Sequence, residues 1–264
     1  MKRLAVILPI CCKDNTHFMR LAIESILNQE YSDFDLIITL DGAIDIEKEK
    51  LLLELYSSRI IINRSPINKG LAAVLNDSIN YCISENYDYI ARMDADDISP
   101  KNRFRNQISY LEENPLCDML GTEASIINEK GQRIGYKKLP HRINISNLLW
   151  RCNIIHPSVI FRTKFFIKFG TYNVDYKKSQ DYELWMRAAK MGAVITNLNN
   201  DFFILRYDSS IAKRRKNEQK YNIKLKLKHL PFRVKFFSII PNVIIFLLPS
   251  KLLIYFSKKI LELN

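Results

Sequence analysis

The sequence predicts an α/β fold with a mostly parallel sheet and helices on both faces. Three observations predict it. Apolar, strand-like runs alternate four times with helix-like segments between residues 4 and 93. The connections between them are short. Acidic and other polar residues collect where the runs end, and ligands of such sheets bind at the carboxyl ends of the strands. Residues 4–10 are a continuous apolar run, as a strand buried on both faces requires. Residues 18–27 have helical spacing, with Leu21, Ile23, Ile26 and Leu27 apolar and Arg20 and Glu24 polar. Residues 34–40 form a second strand ending at Asp41-Gly42, residues 47–56 a helix, and residues 60–62 a short third strand. Asn68-Lys69-Gly70 opens a helix through Leu71, Val74, Leu75 and Ile79, and residues 87–93 are the fourth strand. Beyond Pro100 the elements shorten. Helices are expected at 101–112, 146–151 and 180–191, and strands at 156–161 and 202–207. Residues 121–136 read as strands around a turn at Glu129-Lys130-Gly131.

With 264 residues, 47% hydrophobic and 26% charged, the chain can bury a sizeable core and is not a disordered sequence. Its five cysteines are an odd number with no Cys-x-x-Cys pair, which suits reduced thiols in a cytosol-like compartment. The start, Met1-Lys2-Arg3, is followed by an apolar run that stops at Pro9 and meets Lys13 and Asp14, the pattern of a first strand and not of a signal peptide. Charge is unevenly placed. From Lys213 onward stand thirteen of the 40 Lys/Arg but only two of the 28 Asp/Glu, so residues 1–212 are nearly neutral. The main domain therefore lacks the basic footprint of a nucleic-acid enzyme, and no nucleic-acid partner is expected. Two units follow: a domain at 1–212, with halves at about 1–98 and 99–212, and a basic, apolar tail at 213–264. In the tail, residues 236–250 are largely apolar between Lys235 and Lys251, interrupted by Pro241. A spanning helix needs about twenty residues. This shorter segment with basic flanks suits attachment to an anionic membrane surface.

The most informative stretch is Tyr89-Ile90-Ala91-Arg92-Met93-Asp94-Ala95-Asp96-Asp97. A buried run leads straight into three carboxylates, which repel one another at this spacing. Mg²⁺ or Mn²⁺ would relieve that repulsion, since both prefer carboxylate oxygen and leave positions open for substrate phosphates. On an extended chain Asp94 and Asp96 point the same way, as a metal and phosphate platform requires; the plainer alternative is a solvated acidic turn. Asp41 ends the second strand, where it could accept a hydrogen bond from a base or ribose. Asp181 opens a helix, where the macrodipole favours a carboxylate, and a positioned carboxylate can deprotonate an attacking hydroxyl; the alternative is an ordinary helix N-terminal acid. Lys69 beside Gly70 suits an anion at a helix start, or is a solvated lysine. Arg206 could reach a phosphate in bidentate fashion, or is a surface arginine. His156 could touch acceptor or diphosphate, or is a structural histidine.

Taken in order, Leu8-Pro9-Ile10, Leu40-Asp41-Gly42, Asn68-Lys69-Gly70-Leu71-Ala72, Arg92-Met93-Asp94-Ala95-Asp96-Asp97, His156-Pro157-Ser158-Val159 and Gln180-Asp181-Tyr182-Glu183-Leu184-Trp185 resemble the family 2 glycosyltransferases. The resemblance covers about residues 3–210 and is to the bacterial branch that builds exopolysaccharide, capsule and O-antigen. It implies the GT-A fold, a Rossmann-like, mostly parallel central sheet with flanking helices, here followed by a basic amphipathic helical tail. It implies an inverting transfer from a UDP-sugar, with Mn²⁺ or Mg²⁺, to a lipid-linked (undecaprenyl diphosphate) oligosaccharide on the cytoplasmic face of the plasma membrane. By motif, Asp96 is the expected metal ligand with Asp94 beside it, and Asp181 the expected catalytic base. Asp41 is the expected base-recognising acid. Pro9, Cys11, Asn68, Lys69, Asp94 and Arg206 are the other residues expected around the donor. The chain departs from the family in three places. Cys11-Cys12 stand where Tyr-Asn is frequent, Leu40-Asp41-Gly42-Ala43 replaces Asp-Asp-Gly-Ser, and Gln180 replaces a glutamate. Losing that glutamate removes a like charge and tends to lower the pKa of Asp181.

Two other classes remain open to the sequence. A sugar-1-phosphate nucleotidyltransferase would share the sheet, but it wants a glycine-rich loop after the first strand, and Pro9-Ile10-Cys11-Cys12-Lys13 has no glycine. A non-catalytic membrane-surface module would need the tail and have no use for Asp96 and Asp181.

Overall fold

The computed structural model describes residues 3–200, 202–207, 211–230, 232–248 and 252. The elements run β1 (Leu4–Ile10), α1 (Thr16–Leu27), β2 (Phe34–Asp41), α2 (Ile46–Glu54), β3 (Ile60–Ser65), α3 (Leu71–Ser84), β4 (Tyr89–Arg92) and α4 (Arg103–Glu113). Then come β5 (Met119–Thr122), β6 (Ala124–Ile127), β7 (Arg133–Lys137), β8 (Arg142–Ile143), α5 (Ile145–Trp150), β9 (Ile160–Arg162), α6 (Lys164–Phe169), α7 (Gln180–Lys190), β10 (Ile195–Leu198) and β11 (Ile204–Arg206). Helices α8 (Ile211–His229) and α9 (Phe232–Leu247) close the described chain. The part of the expected tail at 249–251 and 253–264 lies outside the described residues.

The large sheet has the order β3-β2-β1-β4-β9-β5-β10-β8. Strands β3, β2, β1 and β4 are mutually parallel, and β10 is parallel to β5. Strand β9 runs antiparallel between β4 and β5, and β8 antiparallel to β10. The continuous apolar runs are explained by burial on both faces. In β1, Leu4, Val6, Leu8 and Ile10 enter one core, while Ala5 and Ile7 enter the other. Helix α1 covers the first face with Met19, Ala22, Ile23 and Ile26, and α3 the second with Ala72, Leu75, Ile79 and Cys82. Asn15 caps α1 by accepting the Phe18 amide at 3.1 Å, and Asp45 caps α2 through the Lys48 amide at 2.9 Å. A smaller sheet, β11-β6-β7, carries the expected turn, with Gly131 at φ +78°. Ile98 pairs with Ile204, so the smaller sheet is bridged to the loop that follows β4.

Two expectations are corrected. Residues 156–161 are not one strand. His156–Ser158 form a 3-10 turn, and only Ile160–Arg162 pair, because Pro157 has no amide to give a ladder and its fixed φ suits the turn. Pro241 does not interrupt the tail's apolar segment, since α9 continues across it. Strands β8 and β10 and helix α6 are too short to carry a periodicity and were not anticipated. All five cysteines are free thiols.

The two tail helices pack as a hairpin fixed by one buried cation. Lys226 of α8 is fully buried and donates to the Ser238 carbonyl at 2.7 Å, Asn242 Oδ1 at 2.6 Å and the Trp150 carbonyl at 3.2 Å. It thereby joins α8, α9 and the end of α5. Lys226→Met leaves these acceptors without their donor, and each such loss costs about 1–3 kcal/mol. Limited proteolysis of this variant is expected to cut α8 and α9 sooner than in the parent, with residues 4–207 released as a resistant core.

Candidate functional site

The site forms where β1, β2 and β4 end. Strand β4 stops at Arg92, and the chain then turns through Ala95 and Asp96. The turn, and not strand alternation, sets the acids. It brings one oxygen of each of Asp94, Asp96 and Asp97 within 4.8 Å of the others. Asp97, absent from the expected metal ligands, is the buried member at 1% exposure. Its Oδ1 accepts the Arg206 amide at 2.8 Å, while Oδ2 is buried without a hydrogen bond. Burial, then the charges of Asp96 and Asp94, push its carboxyl well above the usual range. An orphaned buried carboxylate oxygen beside two half-buried carboxylates suits a hard divalent cation, so the residues present fit one. Asp97 could be found from the sequence only as a third neighbouring acid; that it turns inward depends on the turn.

Arg92 is fully buried, and its Nη1 lies 2.5 Å from Asp94 Oδ1. This is a charge contact without hydrogen-bond alignment, since none of the three guanidinium nitrogens has an aligned acceptor in the protein. Arg103, also fully buried, donates to the Arg92 carbonyl at 3.0 Å and the Pro157 carbonyl at 3.1 Å, and to Gln107 at 2.9 Å. Gln107 in turn donates to the Leu120 and Ser158 carbonyls. These bonds fasten the end of β4 to the 3-10 turn and to β5.

Four residues expected around the donor are engaged within the fold. Asp41 is 7% exposed, and its carboxylate accepts the amides of Lys69 at 2.6 Å and Gly70 at 3.1 Å. It is thus the anion at the start of α3, the place where Lys69 and Gly70 were expected to receive a ligand. Lys69 Nζ pairs with Asp77 at 2.9 Å, and Asn68 donates to the Asp41 carbonyl at 3.2 Å. Arg206 is buried, not superficial. Its Nε donates to the Asp96 carbonyl at 2.8 Å and its Nη1 to the Asn128 carbonyl at 3.2 Å, with the guanidinium 4.1 Å from the Phe18 ring centre. It braces the acidic turn from behind through its Nε. Pro9 and Cys11 do lie at the end of β1. The Cys11 amide donates to Asp14 Oδ2 at 2.6 Å, and burial raises both the Cys11 thiol and the Asp14 carboxyl. Asp14, read in the sequence only as the end of an apolar run, is close enough to Asp94 for the two charges to interact.

Asp181 lies in the first turn of α7, after Ser179, which takes the left-handed conformation at φ 59°. Burial raises its carboxyl above the usual range, against opposing pulls from local amides and from Arg92 and Lys137. Burial thus outweighs the lowering that Gln180 was expected to bring. Tyr172 feels the charges of Arg92, Asp181 and Asp94, so it lies near all three. His156 is structural: its Nε2 bonds the Tyr172 hydroxyl at 2.8 Å, it packs edge-on to Trp185, and burial holds its pKa well below the usual value. The opposite side of α7 is held by Glu183, 1% exposed, which accepts Arg187 Nε and Nη2, each at 3.1 Å.

Two outcomes follow from these geometries. Asp41→Ala removes a charged helix cap and is expected to cost about 1–2 kcal/mol, read as a lower urea midpoint with an unchanged m-value. Asp181 has a folded pKa above its unfolded one. Its contribution to stability is therefore present at low pH and lost as pH rises through the folded value. Asp181→Asn is accordingly expected to raise Tm at pH 7 and to leave it nearly unchanged near pH 3, which thermal melts at the two pH values would read.

The model of the glycosyl transferase family 2 matches residues 6–170, more than half of the chain. The O-antigen biosynthesis glycosyltransferase WbnJ of Escherichia coli is 36% identical over 172 residues, covering 64% of this chain and 66% of that protein. The chain spans only 34% of the length of another curated relative. The UDP-Gal:alpha-D-GlcNAc-diphosphoundecaprenol beta-1,3-galactosyltransferase of Escherichia coli is 26% identical, with 98% and 97% of the two chains covered. Among solved structures, S. aureus TarS 1-349 in complex with UDP-GlcNAc superposes with a TM-score of 0.67 at 15% identity, covering 92% of this chain and 72% of that one. The Pyrobaculum calidifontis mannosyltransferase PcManGT in complex with GDP-Man and Mn²⁺ gives 0.63 at 12% identity, covering 98% and 73%. With its eight-stranded mixed sheet and this match over most of the domain, the chain has the GT-A fold and belongs to glycosyl transferase family 2.

Proposed function

We propose that the chain is an inverting hexosyltransferase. It would move the sugar of a UDP-sugar, UDP-Gal or UDP-Glc, to a lipid-linked (undecaprenyl diphosphate) oligosaccharide in surface-polysaccharide synthesis. The observation that carries this is the placement of Asp181, a half-buried carboxylate of raised pKa near Arg92 and Tyr172, which also feel the acidic turn. A carboxylate so placed is a competent general base near neutral pH. Asp181 takes the proton of the acceptor hydroxyl as that oxygen bonds to the anomeric carbon. The bond from that carbon to the diphosphate oxygen breaks, its electron pair leaving on UDP. Asp94, Asp96 and Asp97 would hold Mn²⁺ or Mg²⁺, which when bound neutralises charge on the departing diphosphate. Pro9, Cys11 and Asp14 line the side on which the nucleoside would lie.

The names of two relatives support the chemistry, one a galactosyltransferase acting on a diphosphoundecaprenol substrate and one a structure holding UDP-GlcNAc. Among the described residues no helix is long and apolar enough to cross a membrane. The tail helices suit peripheral attachment to the inner face of the plasma membrane. Lys220, Lys224 and Lys228 recur every fourth residue on the exposed side of α8, and α9 exposes Phe237, Ile240, Ile244 and Leu247.

Purified protein with a panel of UDP-sugars, Mn²⁺ or Mg²⁺ and a synthetic lipid-diphosphate sugar acceptor is expected to release UDP with one sugar and only with metal present. Asp181→Ala is expected to cut release by about 10²–10⁴ while retaining UDP binding. Asp96→Ala is expected to lose metal-dependent UDP binding as well. A folded protein that binds neither UDP nor metal would overturn this function.

A further inference from the structure

We propose that Arg92 is a positioning residue shared by the two halves of the site: its guanidinium is the counter-ion of Asp94 until a divalent cation claims that carboxylate, and of Asp181 from then on. This deepens the transferase reading above and rests on it. Arg92 is 0% exposed, and none of its three guanidinium nitrogens has a hydrogen-bond acceptor in the protein. Buried polar groups without partners are costly and rare.

The strand beneath this side chain is fixed. The Arg92 amide donates to the Val159 carbonyl at 2.9 Å, and the Arg92 carbonyl accepts Arg103 Nη2 at 3.0 Å. The other two buried arginines at the acidic turn are fixed as well, since Arg103 donates to the Pro157 carbonyl and Arg206 to the Asp96 and Asn128 carbonyls. The Arg92 guanidinium is held by its charge contact with Asp94, 2.5 Å from Oδ1, so it can shift without breaking a hydrogen bond.

The groups around it decide where it can go. Its charge is felt by Asp97, Arg103, His156, Tyr172 and Asp181. Arg103 repels it. Burial holds His156 neutral and keeps the Tyr172 phenol protonated. A guanidinium stays charged, so the carboxylates are what remain to it. Asp94 and Asp97 belong with Asp96 to the cluster that a divalent cation would draw on. Asp181 is not part of that cluster and forms no ion pair among the described residues. Lys137 also acts on Asp181, but its pull follows that of Arg92.

Sharing Asp94 with a cation takes away the partner of Arg92 and sets a like charge beside it, and burial leaves that repulsion little screened. The guanidinium then moves toward Asp181 and favours its ionised form, the form that takes a proton from an acceptor hydroxyl. The base is thus readied by loading of the donor side. Linkage makes the effect reciprocal: an Asp181 carboxylate that receives Arg92 helps release Asp94 to the cation.

Mn²⁺ affinity reads this coupling without turnover. Free Mn²⁺ is followed by electron paramagnetic resonance in titrations of the full chain, alone and with UDP. Asp181→Asn is expected to weaken Mn²⁺ binding several-fold. Arg92→Met is expected to tighten it several-fold, because Asp94 loses its competitor, whereas loss of a merely structural residue would weaken it. In Arg92→Met the further change Asp181→Asn is expected to have no effect, and Arg92→Lys, which keeps the charge, is expected to restore the dependence on Asp181. An Asp181→Asn protein with the parent's affinity would overturn the inference, and that comparison holds even where Arg92→Met does not fold. A dependence on Asp181 that persists in Arg92→Met would overturn it too, as direct attraction between Asp181 and the cation. A folded parent that binds Mn²⁺ neither alone nor with UDP would instead overturn the function proposed above, and this inference with it.

Discussion

Asp94, Asp96 and Asp97 crowd three carboxylates into four residues, and the site depends on three arginines from separate elements that offset their repulsion. Arg92 meets Asp94, Arg206 donates its Nε to the Asp96 carbonyl and its backbone amide to the Asp97 carboxylate from the smaller sheet, and Arg103 adds its charge from α4. All three are buried, so each interaction is screened little by water. The arrangement is incomplete: Asp97 Oδ2 and the three guanidinium nitrogens of Arg92 keep unused hydrogen-bonding capacity inside the protein.

The same economy of polar groups governs the rest of the donor side. Asp41 occupies the start of α3 with its own carboxylate, and the helix end is thereby satisfied without a ligand. Pro9, Cys11 and Asp14 stand at the end of β1, with Asp14 close enough to Asp94 for their charges to interact. Helix α7 is anchored by the Glu183–Arg187 pair, while Asp181 at its head is half-buried and forms no ion pair among the described residues. The two carboxylates of one helix differ in environment: Glu183 is neutralised by arginine, and burial holds Asp181 at raised pKa.

Much of this was legible in the sequence. The four strand–helix repeats, the Asp94 and Asp96 cluster and the helix headed by Asp181 all follow from periodicity and from carboxylates at strand and helix ends. Those signals are local, and the forces behind them act over a few residues. The roles of Asp41, Lys69 and Arg206 were not legible, because each is decided by a partner distant in the chain. Asp41 meets Lys69 and Gly70, and Arg206 meets Asp96, Asp97 and Asn128. Asp97 was passed over because alternation on a strand turns it away, whereas the actual turn brings it in.

By itself, the sequence determined the fold class, the family and which carboxylates stand at the ends of strands and helices. These follow from the burial of apolar runs and from motifs contiguous in the chain. Only the tertiary structure decided which of those polar groups are already consumed by the fold. It also decided that Lys226 joins the tail to Trp150, and that Tyr172 lies near Arg92, Asp94 and Asp181. The physical reason is that hydrogen bonds and buried charges are satisfied by whatever the folded chain brings within about 3 Å, and sequence spacing does not encode that proximity.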